Sequence, residues 1–322
     1  MSALRSTAEV PSPILVVGSF NMDLVLEVPR FPRPGEAILG RNFRRACGGK
    51  GANQACAIAR LGAPVAIIGA VGQDAFGDEM RANLAAAGVD ITAVARREDV
   101  ASGTAMIVLD ATGQNQIVVA NGANDTLLPA DIERYADPIR HSRALVIQLE
   151  TPMSGVETAC RLAHEAGVPV LLNPAPFAPV TPALLRCCRF IIPNEGEATQ
   201  LTGIDVRDPA SAAAAARQLR ATAPQAEVLI TLGANGVWVD GHNFTGHVPG
   251  VPVTAVDTVG AGDTFIGAFI TRWLEGAAVT EAARFGCAAA AIAVTRKGAQ
   301  TSLPTRAEVE AAMNSRPSVA VT

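Results

Sequence analysis

Near the end of the chain, Asp257-Thr258-Val259-Gly260-Ala261-Gly262-Asp263-Thr264-Phe265 runs into the apolar stretch Ile266-Gly267-Ala268-Phe269-Ile270. Two glycines around one alanine mark a turn handing over to a helix, whose first turn presents free backbone N–H groups beside the Asp263 carboxylate. An anion wrapped by Gly260, Ala261 and Gly262 would then sit next to a base. In phosphoryl transfer to an alcohol, Asp263 would accept the hydroxyl proton while the amides and the helix dipole take up charge on the phosphate oxygens. A plain Gly-rich loop with an Asp at a helix start has the same letters, so this segment alone leaves both readings open.

Further constellations lie upstream. Gly48-Gly49-Lys50-Gly51-Ala52-Asn53-Gln54-Ala55 combines small residues, one cation and an Asn where a helix begins. Gly48 and Gly49 would let backbone approach a small ligand while Lys50 and Asn53 donate to its hydroxyls; a Gly turn with a surface Lys and a capping Asn fits equally. Asn21 and Asp23 follow the first apolar strand, where ligands bind in a parallel sheet. Two apart on extended backbone, they point the same way, toward neighbouring hydroxyls, or serve as an Asx-type cap. Glu150 follows the strand ending at Gln148 and has the same two options, ligand contact or helix start.

Asn194-Glu195-Gly196-Glu197 comes directly after Ile191-Ile192-Pro193. Carboxylates there would hold hydrated Mg²⁺ beside phosphates, or act as acidic first-turn residues. Thr231-Leu232-Gly233-Ala234-Asn235-Gly236 is a Gly-bounded turn for a nucleotide phosphate or ribose, or a simple hairpin turn. Arg296-Lys297-Gly298-Ala299-Gln300 reads as a nucleotide wall or a solvated helix C-cap. Neither G-x-x-x-x-G-K-[ST] nor a G-x-G-x-x-G after the first strand occurs, which weighs against P-loop and nicotinamide-dependent enzymes.

Positioning these groups requires alternating strands and helices. Apolar runs predict strands at Pro13 to Gly18, Val65 to Gly69, Ala144 to Gln148, Val170 to Leu172, Arg189 to Ile192 and Glu227 to Thr231. Helical patterns fall after Gly49, at Asp78 to Ala87, Ala130 to Ala136, Val156 to Ala166, Ala212 to Leu219, Val259 to Leu274, Thr280 to Val294 and Arg306 to Met313. Two hairpin excursions, one from Asn21 returning over Ala37 to Phe43 and one at Met106 to Leu109 and Gln116 to Val119, would pair into a small sheet covering a pocket. A third hairpin spans Gly236 to Asp240 and Thr245 to Val248. The expected fold is a three-layer α/β/α sandwich with a mostly parallel central sheet and a small inserted β-sheet lid. One domain over 13–316 is expected, with lid excursions at about 21–46 and 101–120, an N-terminal extension at 1–12 and a frayed tail at 317–322.

The 322 residues suffice for one large core, and Ala and Gly dominate an apolar share with few aromatics, which suits closely packed helices on a sheet. With 26 Lys and Arg against 30 Asp and Glu, a net charge of -4 and no basic block, general nucleic-acid binding is not expected. Six cysteines, at 47, 56, 160, 187, 188 and 287, form no C-x-x-C pair and read as buried hydrophobes in a reducing compartment. No signal peptide or membrane span is visible, so the cytoplasm is the default expectation.

Taken together, Gly18-Ser19-Phe20-Asn21-Met22-Asp23, the Gly48 to Ala55 run, Gln148-Leu149-Glu150, Pro193 to Glu197, Asp257 to Phe265 and Ala293 to Gln300 resemble, in order, the ribokinase-like family of carbohydrate kinases, from about Ile14 to Pro304. The resemblance implies ATP-dependent phosphorylation of D-ribose at O5, with Mg²⁺ and K⁺ as cofactors. It assigns Asn21, Met22, Asp23, Gly49, Lys50, Gly51, Ala52, Asn53 and Glu150 to the sugar, Asp263 to the base, and Gly260, Ala261 and Gly262 to the anion hole. Asn194, Thr231, Leu232, Gly233, Ala234, Asn235, Gly236, Gly262, Asp263 and Cys287 would meet ATP, and Asn194 and Glu197 would act on Mg²⁺ through water. A K⁺ site would use Asp257, Val259, Ala293, Arg296, Gly298 and Ser302, mostly through carbonyls. Cys287 departs from the His or Asn frequent there, and Ala37 from a frequent Thr. The family's lid commonly forms a homodimer interface. The alternatives are a kinase for 2-deoxyribose or a nucleoside, and a noncatalytic sugar sensor; retention of Asp263 and both glycines opposes the last.

Overall fold

The computed structural model describes residues 12–314. From the N-terminal side, β1 (Ile14–Val17) leads to β2 (Asn21–Glu27), β3 (Arg41–Gly48), α1 (Lys50–Arg60), β4 (Val65–Gly72), α2 (Ala75–Ala86), β5 (Val94–Arg97), β6 (Gly103–Leu109) and β7 (Asn115–Ala120). The middle contains α3 (Pro129–Glu133), α4 (Ala136–Arg140), β8 (Ala144–Ile147), α5 (Met153–Glu165), β9 (Val170–Leu172), α6 (Pro182–Cys187), β10 (Phe190–Ile191), α7 (Glu195–Thr202) and α8 (Pro209–Thr222). Then follow β11 (Glu227–Thr231), β12 (Val237–Asp240), β13 (Thr245–Val248), α9 (Ala261–Leu274), α10 (Val279–Ala293) and α11 (Arg306–Asn314).

Nine strands form the central sheet in the order β13-β12-β11-β10-β9-β8-β1-β4-β5. Pairing is parallel except at β11–β12 and β12–β13. Because side chains alternate along a strand, Ile14 and Val16 enter one core with α1, α9 and α10, while Leu15 and Val17 enter another with α5 and α8. Burial on both faces explains why the β1 and β8 sequences are unbroken apolar runs. The expected three layers are present.

A second, four-stranded sheet has the order β3-β2-β6-β7. Its two hairpins join through parallel β2–β6 pairing, with Asn21 opposite Gly103, while Asn21 also faces Gly48 across the antiparallel β2–β3 pair. The return strand therefore lies later than the expected Ala37 to Phe43. Its arginines hid it, since β3 is mostly exposed and runs directly into α1. Strand β5 and helix α6 were not expected, and the helix expected over Ala130 to Ala136 divides into α3 and α4 around Tyr135. The expected N-terminal extension, apart from Ser12, and the expected tail lie outside the described residues. Among the described residues no helix is long and apolar enough to cross a membrane.

Candidate active site

Helix α9 starts on Gly260, whose left-handed φ of 76° favours glycine, and no side chain caps it. A Cβ at Gly260 would lie 3.0 Å from the Ala299 Cα, whereas one at Gly262 would meet open space. Open space above the first turn is what an anion needs to reach the amides. One turn in, Asp263 is 7% exposed, and both its oxygens are held: Asn53 Nδ2 donates to Oδ2 and Gln54 Nε2 to Oδ1, each at 2.9 Å.

Both donors come from the first turns of α1, which also begins on a glycine. Gly49 has φ 91°, and a Cβ there would press on Asn21 N at 2.7 Å and Ser19 O at 2.8 Å, so only glycine lets α1 meet β2 so closely. The Lys50 amide donates to Glu150 Oε2 at 3.0 Å, and the Ser19 hydroxyl donates to the same oxygen. Asn21 Oδ1 accepts from Asn124 Nδ2 at 3.0 Å, and Asp23 packs over Gly48. Strand alternation turns Met22 the other way, fully buried in the core. Gly51 abuts the Gly18 backbone, and Ala52 is buried with its N–H donating to Ser19 O. Met22, Gly51 and Ala52 thus shape the floor and offer no free polar side chain.

Burial, reinforced by the Glu150 and Asp263 carboxylates, pushes Asp23 up to about 7. Burial alone would lower the Lys50 ammonium, but the carboxylates of Asp263, Glu150 and Glu197 outweigh it and hold it above its ordinary value. Lys50 is therefore a cation enclosed by three acids.

A cavity of about 200 Å³ extends from Lys50 and Asp263 along Gly260 to Gly262 to Asn194, Glu197 and Thr231. Leu232 through Gly236 are not in its lining; they form the tight turn between β11 and β12, closed by Leu232 N donating to Gly236 O at 2.8 Å. Cys287 is also outside that lining, buried within α10, where burial pushes its thiol up to about 12.

Asn194 and Glu197 form a reciprocal cap on α7. The Asn194 N and Nδ2 donate to Glu197 at 2.9 Å each, and the Glu197 N–H donates to Asn194 Oδ1 at 2.8 Å. Both residues also face the cavity, so the helix-start and ligand readings coexist. Asp257 accepts from Val259 N at 3.1 Å and Gly298 N at 2.9 Å, and the Val256 and Asp257 amides donate to Val294 O. These bonds bring the loop before Gly260 against the 293–302 loop, where Arg296 N donates to Ala293 O and the buried Ser302 hydroxyl donates to Ala299 O. Among the described residues no group of three His, Cys, Asp or Glu side chains could hold a metal ion.

Several groups that brace this crevice escaped sequence reasoning. Ser19 and Gln54 stand inside quoted motifs without an assigned role. Gln148 and Gln300 likewise stand in quoted motifs without an assigned role of their own, whereas Asn173 and Asn124 reach the crevice from segments with no local pattern to reveal them.

A carboxylate fixed beside the glycine-bounded start of α9, at the carboxyl ends of a parallel sheet under a small lid, defines a kinase site for a small alcohol. Residues 12–306 match the pfkB family carbohydrate kinases, and the chain belongs to that family. It is 46% identical to the ribokinase of Haemophilus influenzae, covering 92% of this chain and 96% of that one. It is 37% identical to the deoxyribokinase of Salmonella typhi, over 90% and 95%. Its fold matches the structure of Arabidopsis thaliana ribokinase complexed with ribose and ATP, with a TM-score of 0.88, 32% identity and coverage of 94% and 99%.

Proposed function

We propose that the protein transfers the γ-phosphoryl group of ATP to O5 of D-ribose, giving D-ribose 5-phosphate and ADP. The observation that carries this reading is the Asp263 carboxylate, held at both oxygens, at the junction of the crevice around Lys50 and Glu150 with the cavity running to Asn194 and Thr231. Ribose and ATP are the ligands of the Arabidopsis relative, which agrees with this division. Asp263 accepts the O5 proton as O5 bonds to the γ-phosphorus and the bond to the β,γ-bridging oxygen breaks. The amides of Gly260 to Gly262 and the Lys50 ammonium stabilise charge on the transferring group. Asn21, Asp23, Lys50, Asn53 and Glu150 hold the sugar hydroxyls, and the four-stranded sheet closes over them to exclude water.

Thr231, which lines the cavity, and the 232–236 turn that follows it hold the nucleotide, and Cys287 lies behind the lining within α10. Mg²⁺ supplies charge neutralisation on the triphosphate when bound; Asn194 and Glu197 fit an outer role, because Asn194 already engages both Glu197 oxygens and bound water can share them. Asp257, with carbonyls of the 293–302 loop and Ser302, offers hard oxygen donors suited to K⁺, which would stiffen the turn before Gly260. Exposed Leu39, Phe43, Met106, Ile117 and Val118 in and beside the lid support a homodimer formed there. We place the lid at about 21–46 and 101–120 within one kinase domain, and the enzyme in the cytoplasm.

The deoxyribokinase relative keeps 2-deoxyribose as a second acceptor. A product assay over ribose, 2-deoxyribose, fructose and nucleosides, with ATP, Mg²⁺ and K⁺, decides between them. Ribose 5-phosphate as the fastest product is expected; faster phosphorylation of a nucleoside or of 2-deoxyribose overturns the assignment.

A further inference from the structure

Gln54 is fully buried in α1. Its Nε2 donates to Asp263 Oδ1 at 2.9 Å and to Asn173 Oδ1 at 3.1 Å, and its Oε1 accepts from Gln148 Nε2 at 2.6 Å. The direction of each amide in this run is dictated from one fixed end. Asn173 Nδ2 donates to the Ile192 carbonyl at 3.0 Å, which can only accept, so Asn173 turns its oxygen to Gln54. Gln54 must then present N–H to Asn173, which also aims N–H at Asp263 and leaves its own oxygen to Gln148.

The last link has no partner. Gln148 Oε1 is buried and unsatisfied, lying against Gly18, where a Cβ would overlap it. A Met or Leu of similar size at 54 and 148 would fill the same space without an orphaned acceptor. Packing alone therefore does not account for the pair, whereas a fixed N–H toward Asp263 does.

We infer that Gln54 is a positioning residue for Asp263, held in one orientation by Gln148 and Asn173, so that the carboxylate presents its remaining lone pairs to the acceptor hydroxyl. This rests on the reading of Asp263 as the base. Gln148 is also two residues before Glu150, so one strand end orients the base and carries a sugar-holding acid.

The test is a double-mutant cycle with Gln54→Met, Asp263→Ala and the pair, measuring kcat and KM for ribose and for MgATP, with thermal unfolding of each variant. Gln54→Met is expected to lower kcat by about 10- to 100-fold, as for loss of a hydrogen bond to a charged group, with each KM within about 2-fold. In the Asp263→Ala background the same change should alter the residual turnover by less than about 2-fold, because it acts through the missing carboxylate. Gln148→Met, which touches no oxygen of Asp263, should reduce kcat in the same direction, and it decides the matter if Gln54→Met does not fold. Additive losses in the cycle, a raised KM at unchanged kcat, or wild-type turnover in both single glutamine variants would overturn the inference while leaving Asp263 as base. Full turnover in Asp263→Ala alone would overturn the base assignment and the inference with it.

Discussion

Asp23→Asn should make the ligand-free protein more stable at neutral pH, and the gain should appear only as pH rises. Burial, with Glu150 and Asp263 nearby, pushes Asp23 to about 7 from an ordinary 3.8. Below 3.8 the carboxyl is neutral in folded and unfolded chains alike, and its contribution to stability is intact. Between the two values the unfolded chain ionises while the folded one keeps its proton, so stability is lost steadily and the loss is complete above about 7. At 1.36 kcal/mol per unit the whole window corresponds to at most about 4 kcal/mol, of which roughly 3 falls between about pH 5 and pH 8. An amide does not titrate, so the advantage of Asp23→Asn should grow over that interval. In a chain of 322 residues, about 1 kcal/mol moves Tm by roughly 1–2 °C. Thermal unfolding of both proteins from about pH 5 to pH 8 measures it. A difference that stays flat, or that favours the wild type more at pH 8 than at pH 5, refutes the account. Ribose hydroxyls would donate to the ionised carboxylate, so ribose affinity of the wild type should fall as pH drops below about 7, and Asp23→Asn should bind ribose poorly throughout.

The two loop glycines separate stability from catalysis. Gly260→Ala forces a side chain into left-handed backbone against Ala299 and should cost about 1–2 kcal/mol in thermal unfolding. Gly262→Ala meets no neighbour and should unfold like the wild type, yet lose about 10²-fold in kcat by intruding on the anion hole. At Gly267 an added Cβ would lie 2.6 Å from the Ala57 Cβ, so Gly267→Ala should part α9 from α1, costing about 1–3 kcal/mol and lowering kcat more than it raises the ribose KM. Replacing K⁺ by Na⁺ should lower turnover without changing the product; equal rates in the two salts remove the cation's role at Asp257.

Much of this fold is legible in the chain because strands buried on both faces must be largely apolar: the run Pro13 to Gly18 contains β1, and Glu227 to Thr231 coincides with β11. The start of α9 is also legible, since two glycines and an Asp leave few backbone options there. The β3 register is not, because Arg41, Arg44 and Arg45 lie on an exposed strand whose place is set by pairing with β2. Nor are the bonds that fix Asp263, since Gln54 comes from α1 more than two hundred residues earlier, and Gln148 and Asn173 from two further strand ends. Met22 shows the opposite limit. A motif places it among ligand residues, but the two-residue period of the strand sends its side chain into the core.

The two helices that meet at Asp263 start differently from several of their neighbours. Helices α2, α7 and α8 are capped by Asp74, Asn194 and Asp208, whose side chains accept first-turn N–H groups. Helices α1 and α9 instead begin on Gly49 and Gly260, both with positive φ and neither with a side-chain cap. A Ser, Asn or Asp cap would stabilise either helix by about 1 kcal/mol, but its oxygen would occupy the place where a ligand meets those amides. At α1 the Lys50 amide turns to Glu150, tying that acid to the helix; at α9 the Ala261 amide turns to Thr258 O at 3.3 Å, and Gly260 to Gly262 line the cavity beside Asp263. Helices α3, α4, α5 and α10 also lack a side-chain cap, but among the helices whose N-cap is described only α1 and α9 begin on a positive-φ glycine, and these are the two ends that converge on Asp263.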